Sequence, residues 1–187
     1  GAGKSTICSS LRQTPDTVYA VSCTTRTPRA GETDGEDYHF MEATDFQRRI
    51  GAGDFLEYAR VHDHYYGTLR QSIVDTLRAG TDVLVDIDVQ GAKTIRKSTD
   101  PFISDSLVDI FIMPPSLEEL RHRLEKRGTE SAGQIDFRLT NAAAEMKCWR
   151  EYKYTIISGS MEEDLTKFRA ITRAERYLSR RIISLEG

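Results

Sequence analysis

Cysteine is scarce in this sequence: Cys8, Cys23 and Cys148 are the only three in 187 residues. An odd count without C-x-x-C spacing argues against a disulfide framework or a zinc ribbon and fits a reducing compartment. Each thiol is expected to pack as a small apolar group. The four histidines, His39, His62, His64 and His122, make no metal-ligand pattern with them. Basic residues show no excess either: Lys and Arg number 26 against 29 Asp and Glu, a formal net charge of -3. An extended nucleic-acid surface is therefore not expected, and any cationic site must be local. No apolar run approaches the ~18 residues of a membrane span, and no signal-peptide pattern is visible. These shortages predict a cytoplasmic protein without nucleic-acid or membrane partners, monomeric or homo-oligomeric. What is present is ordinary for a globular chain, 39% hydrophobic and 29% charged, with no internal repeat.

The most informative stretch is Gly1-Ala2-Gly3-Lys4-Ser5-Thr6. Gly-Lys-Ser after a glycine-rich turn is the back half of a phosphate-binding loop. In such a loop backbone N–H groups cradle phosphate oxygens, the Lys ammonium reaches the outer phosphates and the Ser hydroxyl sits on Mg²⁺. A full motif has a further glycine and a buried strand ahead of it, so the natural chain is expected to continue upstream of Gly1. The pattern Ile7, Cys8, Leu11 predicts a helix whose positive end faces the loop.

Downstream, Val18–Ser22 reads as a strand and Cys23–Glu32 as a loop carrying Arg26 and Arg29, two guanidiniums able to clamp a phosphate. Asp37–Met41 alternates like a strand, and Thr44-x-x-Gln47 predicts a capping box opening a helix that ends near Gly51 and Gly53. If Phe55, Glu57 and Ala59 share one inward strand face, as the alternation allows, a carboxylate in need of a donor is buried there; the alternative is a solvated strand face. Tyr65–Thr68 leads into a helix over Leu69–Arg78. These small strands and loops, where helices would be usual in a doubly wound fold, predict a lobe attached to a phosphate-binding core. Val83–Asp88 is an apolar run ending in acid, as when a parallel strand delivers Asp86 and Asp88 to a ligand crevice; Asp88 also suits a cap for the helix Val89–Ser98. Leu107–Ile112 is the next strand, stopped by Pro114-Pro115. Ser116-x-x-Glu119 predicts a capped helix with Arg121, Arg123, Lys126 and Arg127, followed by a glycine-punctuated connector and a helix through Arg138 to about Lys153. Arginines on both sides of a mobile connector suit a closing lid. Tyr154–Ile157 is a last strand. Ser160-x-x-Glu163 caps a final helix with the apolar stripe Leu165, Phe168, Ile171, Ala174, Leu178.

Thr24-Thr25-Arg26-Thr27-Pro28-Arg29-Ala30-Gly31-Glu32, Asp37-Tyr38-His39-Phe40, Glu57-Tyr58, Tyr65-Tyr66-Gly67, Asp86-Ile87-Asp88-Val89-Gln90-Gly91, Pro114-Pro115-Ser116 and Arg127-Gly128-Thr129-Glu130 follow one another in an order that closely resembles guanylate kinase. The likeness runs through essentially the whole chain. It implies an α/β fold: a P-loop NTPase-type three-layer core with a central parallel sheet, an inserted GMP-binding lobe and a helical lid. The implied boundaries are 1–22, 70–122 and 139–187 for the core, 23–69 for the lobe and 123–138 for the lid. The implied activity is Mg²⁺-dependent transfer of the ATP γ-phosphoryl group to GMP or dGMP, in purine nucleotide metabolism.

By the same resemblance, Gly1, Ala2, Gly3, Lys4, Ser5 and Thr6 hold ATP, with Ser5 and Asp86 serving the metal. Arg26, Arg29, Tyr38 and Tyr66 hold the GMP phosphate. Glu57 and Asp88 face the guanine, with Ser22 and Thr68 adding hydrogen bonds. Lys4, Arg123, Arg127 and Arg138 are the catalytic cations. Guanine offers N1–H and a 2-amino group to a carboxylate, whereas adenine offers a bare N1, so the wrong base is rejected by about 10⁴ or more. Two departures stand out: Ile157-Ser158-Gly159-Ser160 occupies the region where many relatives carry an Asn for the adenine, and Thr68 replaces the Ser of some relatives. Guanylate-kinase-like domains that instead bind phosphorylated protein segments typically lack the loop lysine and some lid arginines, whereas Lys4, Arg123, Arg127 and Arg138 are all here. A kinase of another monophosphate fits Glu57 and Asp88 less well.

Overall fold

The structure is a computed structural model, and it describes residues 2–12, 14, 17–61, 63–128 and 131–181, with the side chains of Ser5 and Arg180 outside that description. Two compact units are formed, one by residues 8–107 and one by 1–7 with 108–187. Helix α1 (Lys4–Leu11) straddles that division.

Within 8–107 the chain runs β1 (Thr17–Tyr19), β2 (Cys23–Thr24), β3 (His39–Phe40), α2 (Ala43–Ala52), β4 (Phe55–Val61), β5 (His64–Leu69), α3 (Arg70–Arg78), β6 (Asp82–Leu84), α4 (Val89–Arg96) and α5 (Pro101–Ser106). β1 and β6 pair in parallel, while a second sheet has the order β3-β2-β5-β4. In that sheet β2 is parallel to β3 and antiparallel to β5, and β4 and β5 form an antiparallel pair. One core, built from Ala20, Leu56, Ile73, Val74, Ile95 and Ile103, lies between α3, α4, α5 and the strands. A second, around Cys23, Phe46 and Phe55, packs α2 on the four-stranded sheet, with the Phe46 and Phe55 rings stacked at 4.3 Å. Burial there pushes the Cys23 thiol up to about 11, so it packs as an inert apolar group.

Several local expectations change. α2 starts at Ala43 with Glu42 in the capping position and no side-chain cap, so the Thr44/Gln47 box does not form: Thr44 already lies inside the helix. The helix end is as expected, with Gly53 left-handed at φ 74°. A bulge between Phe55 and Glu57 breaks the alternation of β4. Phe55 therefore packs on Phe46 in one core while Leu56 enters the other, and the expected shared face of Phe55 with Glu57 is lost. Glu57 still points inward and is 5% exposed. α5 was not foreseen, although Asp100 caps it by accepting the Phe102 N–H (3.0 Å) and Pro101 occupies its first turn.

In residues 108–187 come β7 (Ile110–Met113), α6 (Leu117–Arg127), α7 (Ala132–Glu145), a 3-10 helix over Met146–Glu151, β8 (Tyr154–Ile157) and α8 (Met161–Arg176). β7 and β8 pair in parallel. Parallel pairing among the described residues thus occurs between β1 and β6, between β2 and β3, and between β7 and β8. α6 and α7 pack through Leu120, Leu124 and Ile135, and Arg121 bridges to Asp136 at 2.7 Å. Ser116 caps α6, but Glu119 turns away to Arg123 Nε (2.7 Å), so only half of the predicted box exists. The Ser160/Glu163 box of α8 is complete. The expected stripe holds in large part, with Leu165 buried and Phe168, Ile171 and Leu178 half-buried, while Ala174 is exposed and the acids Asp164 and Glu175 are buried instead. Glu175 is accommodated by Tyr154 OH (2.6 Å) and Lys153 Nζ (2.7 Å). Trp149 is 39% exposed, with the Arg150 guanidinium 5.0 Å from its ring centroid.

Candidate active site

The loop before α1 turns at Gly3, whose φ of 99° is left-handed and suits glycine alone. Its carbonyl accepts the Thr6 and Ile7 N–H groups at 3.1 and 3.2 Å, which starts the helix. No acid lies in the first turn of α1, so nothing there repels an anion at the positive helix end. Lys4 and Thr6 are exposed and Ala2 is half-buried. Gly1 and the Ser5 hydroxyl lie outside the described residues.

Beside this loop sits a buried polar cluster that sequence reasoning did not find. A methyl on Gly3 would lie 3.2 Å from Ser158 Oγ. Ser158, 3% exposed, donates to Asp164 Oδ2 (2.8 Å), and the Gly159 N–H donates to Asp164 Oδ1 (2.9 Å). Arg123 donates Nη1 to Ser158 Oγ (3.0 Å) and Nη2 to the Ser158 carbonyl (3.3 Å). The expected lid arginine is thereby tied to the end of β8. Arg127, at the end of α6, and Arg138, within α7, are exposed.

The 8–107 unit gathers the residues expected around a monophosphate. Arg26 lies 5.5 Å from the Tyr38 ring centroid and 5.8 Å from that of Phe40, and the Tyr38 and Tyr66 rings meet edge to face at 5.9 Å. Glu32 holds Arg26 Nη2 at 2.8 Å with one oxygen and accepts the Arg29 N–H at 2.7 Å with the other. One carboxylate thus fixes the side chain of the first arginine and the backbone of the second, whose own side chain is exposed. Glu32, and less so Tyr66, raises the pKa of Arg26. Burial, followed by the neighbouring Tyr66, pushes the Tyr38 hydroxyl up and keeps it a donor. The sequence places Glu32 at the end of the arginine loop and assigns it no role there.

Glu57 occupies the inner face of the four-stranded sheet, where Thr68 Oγ1, fully buried, donates to its Oε1 at 2.7 Å. Cross-strand pairing of Glu57 with Thr68 makes that contact. Desolvation raises the Glu57 pKa, Thr68 opposes the rise, and the nearby charge of Asp88 adds to it. Asp88 caps α4 through Oδ1 and the Gly91 N–H (2.8 Å), so the capping role is realised next to Glu57. Its Oδ2 takes the Gln90 side chain at 3.3 Å. Asp86 is half-buried on the segment after β6 and acts, after burial, to raise the Tyr19 hydroxyl. Ser22 is half-buried, and its carbonyl accepts the His39 N–H at 2.9 Å.

The sequence profile of the guanylate kinase family matches residues 1–175. A guanylate kinase of Caldanaerobacter subterraneus is 42% identical over 177 residues, 94% of this chain and 84% of that protein. That of Dechloromonas aromatica is 43% identical over 175 residues, 93% of this chain and 84% of its own length. The crystal structure of guanylate kinase from Anaplasma phagocytophilum superposes with a TM-score of 0.80 at 34% identity, covering 97% of this chain and 86% of that one. A parallel-stranded α/β chain with a glycine-turned cationic loop, an arginine–tyrosine cluster and a buried glutamate therefore belongs to the guanylate kinase family, the ATP-dependent kinases of GMP.

Proposed function

We propose that the 8–107 unit selects and holds the acceptor, GMP or dGMP, while the loop before α1 and the arginines of residues 108–187 serve the ATP phosphates. The observation that carries this reading is Glu57, a buried carboxylate clamped by Thr68 in the same unit as the Arg26–Tyr38–Tyr66 cluster. Its oxygens accept the guanine N1–H and 2-amino group, with Asp88 beside it and Ser22 and Thr68 completing the pocket. Arg26, Arg29, Tyr38 and Tyr66 bind the monophosphate with forks and phenol donors. Exchange of Glu32 for the ligand phosphate leaves Arg26 paired throughout.

On the donor side, Ala2, Gly3, Lys4 and Thr6 surround the ATP phosphates with Gly1, and Arg123, Arg127 and Arg138 neutralise the transferring group. A GMP phosphate oxygen attacks the γ-phosphorus, the bond to the β–γ bridging oxygen breaks, and ADP leaves. The nucleophile is already anionic, so no general base is required; positioning and charge neutralisation lower the barrier. Ser5 and Asp86 are hard oxygen donors of the kind Mg²⁺ takes alongside phosphates and water. They would hold that ion, which when bound offsets charge on the phosphate oxygens. In this reading residues 23–69 form the acceptor lobe, 123–138 the lid and the remainder a three-layer P-loop core with a central parallel sheet. Purine nucleotide metabolism in a reducing cytoplasm suits an odd number of cysteines without C-x-x-C spacing. The test is coupled ADP release with GMP, dGMP, AMP and UMP offered in turn. GMP and dGMP are expected to dominate, and equal turnover of AMP would overturn the base pocket.

A further inference from the structure

We infer that Gly91 determines base specificity: the missing side chain at this position of α4 sets where the Glu57 carboxylate rests. The inference deepens the reading of Glu57 as the acceptor of the guanine donors and rests on it. A methyl on Gly91 would lie 2.6 Å from Glu57 Oε2 and 3.1 Å from its Cδ, with Ile87 Cβ at 3.2 Å on another side. Contacts that short do not persist between unbonded atoms, so one partner has to move.

Three restraints decide which. The Glu57 backbone is paired across the sheet with Thr68, so β4 stays in place. The Gly91 backbone is fastened by its N–H to Asp88 Oδ1 at 2.8 Å, which holds the first turn of α4. Ile87 blocks a compensating tilt. The movable group is the carboxylate, and moving it strains or breaks the 2.7 Å bond from Thr68 to Oε1. Guanine presents two donors side by side in one plane, so displacing the accepting oxygens spoils both bonds at once. The fold has little to lose, because alanine suits a helix interior better than glycine and the displaced atoms end a side chain. The substitution therefore acts on ligand choice more than on stability.

The experiment uses the full chain and the variants Gly91→Ala, Glu57→Gln, Glu57→Asp and the double variant Glu57→Asp/Gly91→Ala. Steady-state kinetics with GMP and AMP, GMP binding by calorimetry and thermal unfolding are measured for each. For Gly91→Ala the GMP KM is expected to rise at least about tenfold, with the ATP KM and the unfolding temperature held. Aspartate, one methylene shorter, withdraws the carboxylate from the added methyl, so the double variant is expected to lose less than the two single losses combined. An unchanged GMP KM in Gly91→Ala, while Glu57→Gln is impaired, would overturn the inference and leave the Glu57 reading standing. A rise in KM accompanied by a lower unfolding temperature, without coupling in the double variant, would overturn it as well. Glu57→Gln binding GMP as well as the unaltered chain would instead overturn the reading beneath it.

Discussion

Glu57, the proposed acceptor of the guanine donors, is ionised at a cost to the fold. Desolvation and then the charge of Asp88 raise its pKa against the help of Thr68. A carboxyl whose pKa is raised on folding contributes stability that is complete below its unfolded value, about 4.3, and lost as pH climbs through the folded value. At neutral pH the ionised group therefore burdens the folded state, and Glu57→Gln is expected to raise the unfolding temperature there, the gain vanishing as the pH approaches 4. Thermal melts of the two chains across that range are the check. GMP affinity of the unaltered chain follows the opposite course: it is expected to weaken as pH falls and the carboxylate gains a proton. An inward Glu57 is legible as one of the two faces an alternating run offers, although the bulge changes which neighbours share that face, and the grouping of Arg26 with Tyr38 and Tyr66 is legible only through the resemblance to guanylate kinase. Glu32 is not legible, because a carboxylate near two arginines in sequence says nothing about which of their atoms it will meet.

At the scale of elements, a capping box forms where the side chain lies at the right offset and nothing competes for it. Ser160 with Glu163 meets that condition. Ser116 with Glu119 does not, since Arg123, one turn on, draws the glutamate away. The β4 bulge leaves no mark on the residue pattern for a related reason: a period of two counts residues, whereas a bulge changes how many residues oppose the partner strand. Gly67 on β5 shows how closely that pair is packed. A methyl there would meet Phe55 Cδ1 at 2.9 Å, the Glu57 carbonyl at 3.0 Å and Tyr58 Cβ at 3.0 Å. Backbone and ring atoms cannot swing aside as a carboxylate can, so Gly67→Ala is expected to destabilise by about 1–3 kcal/mol. Denaturant unfolding measures it, and a difference below about 0.5 kcal/mol would show that the strands separate readily.

For the whole molecule, the residues proposed to hold the acceptor all fall within 8–107, whereas Lys4 and the three arginines proposed to act on ATP belong to the other unit. GMP should therefore bind without ATP. A ligand that binds only the folded chain stabilises it by mass action, about 2.7 kcal/mol at a hundredfold excess over its Kd. GMP alone is expected to raise the unfolding temperature accordingly, and Glu57→Gln to remove most of the rise; differential scanning calorimetry with GMP and with AMP provides the measurement. The sequence by itself determined the family and most element positions, because the order of motifs, their spacing and side-chain chemistry are local and survive without a fold. Tertiary structure alone decided that Ser158 and Asp164 anchor Arg123 beside Gly3, that a bulge sends Phe55 and Leu56 into different cores and that Gly91 adjoins Glu57. Those contacts join residues far apart in sequence, and steric fit between packed elements leaves no mark on the local pattern of either one.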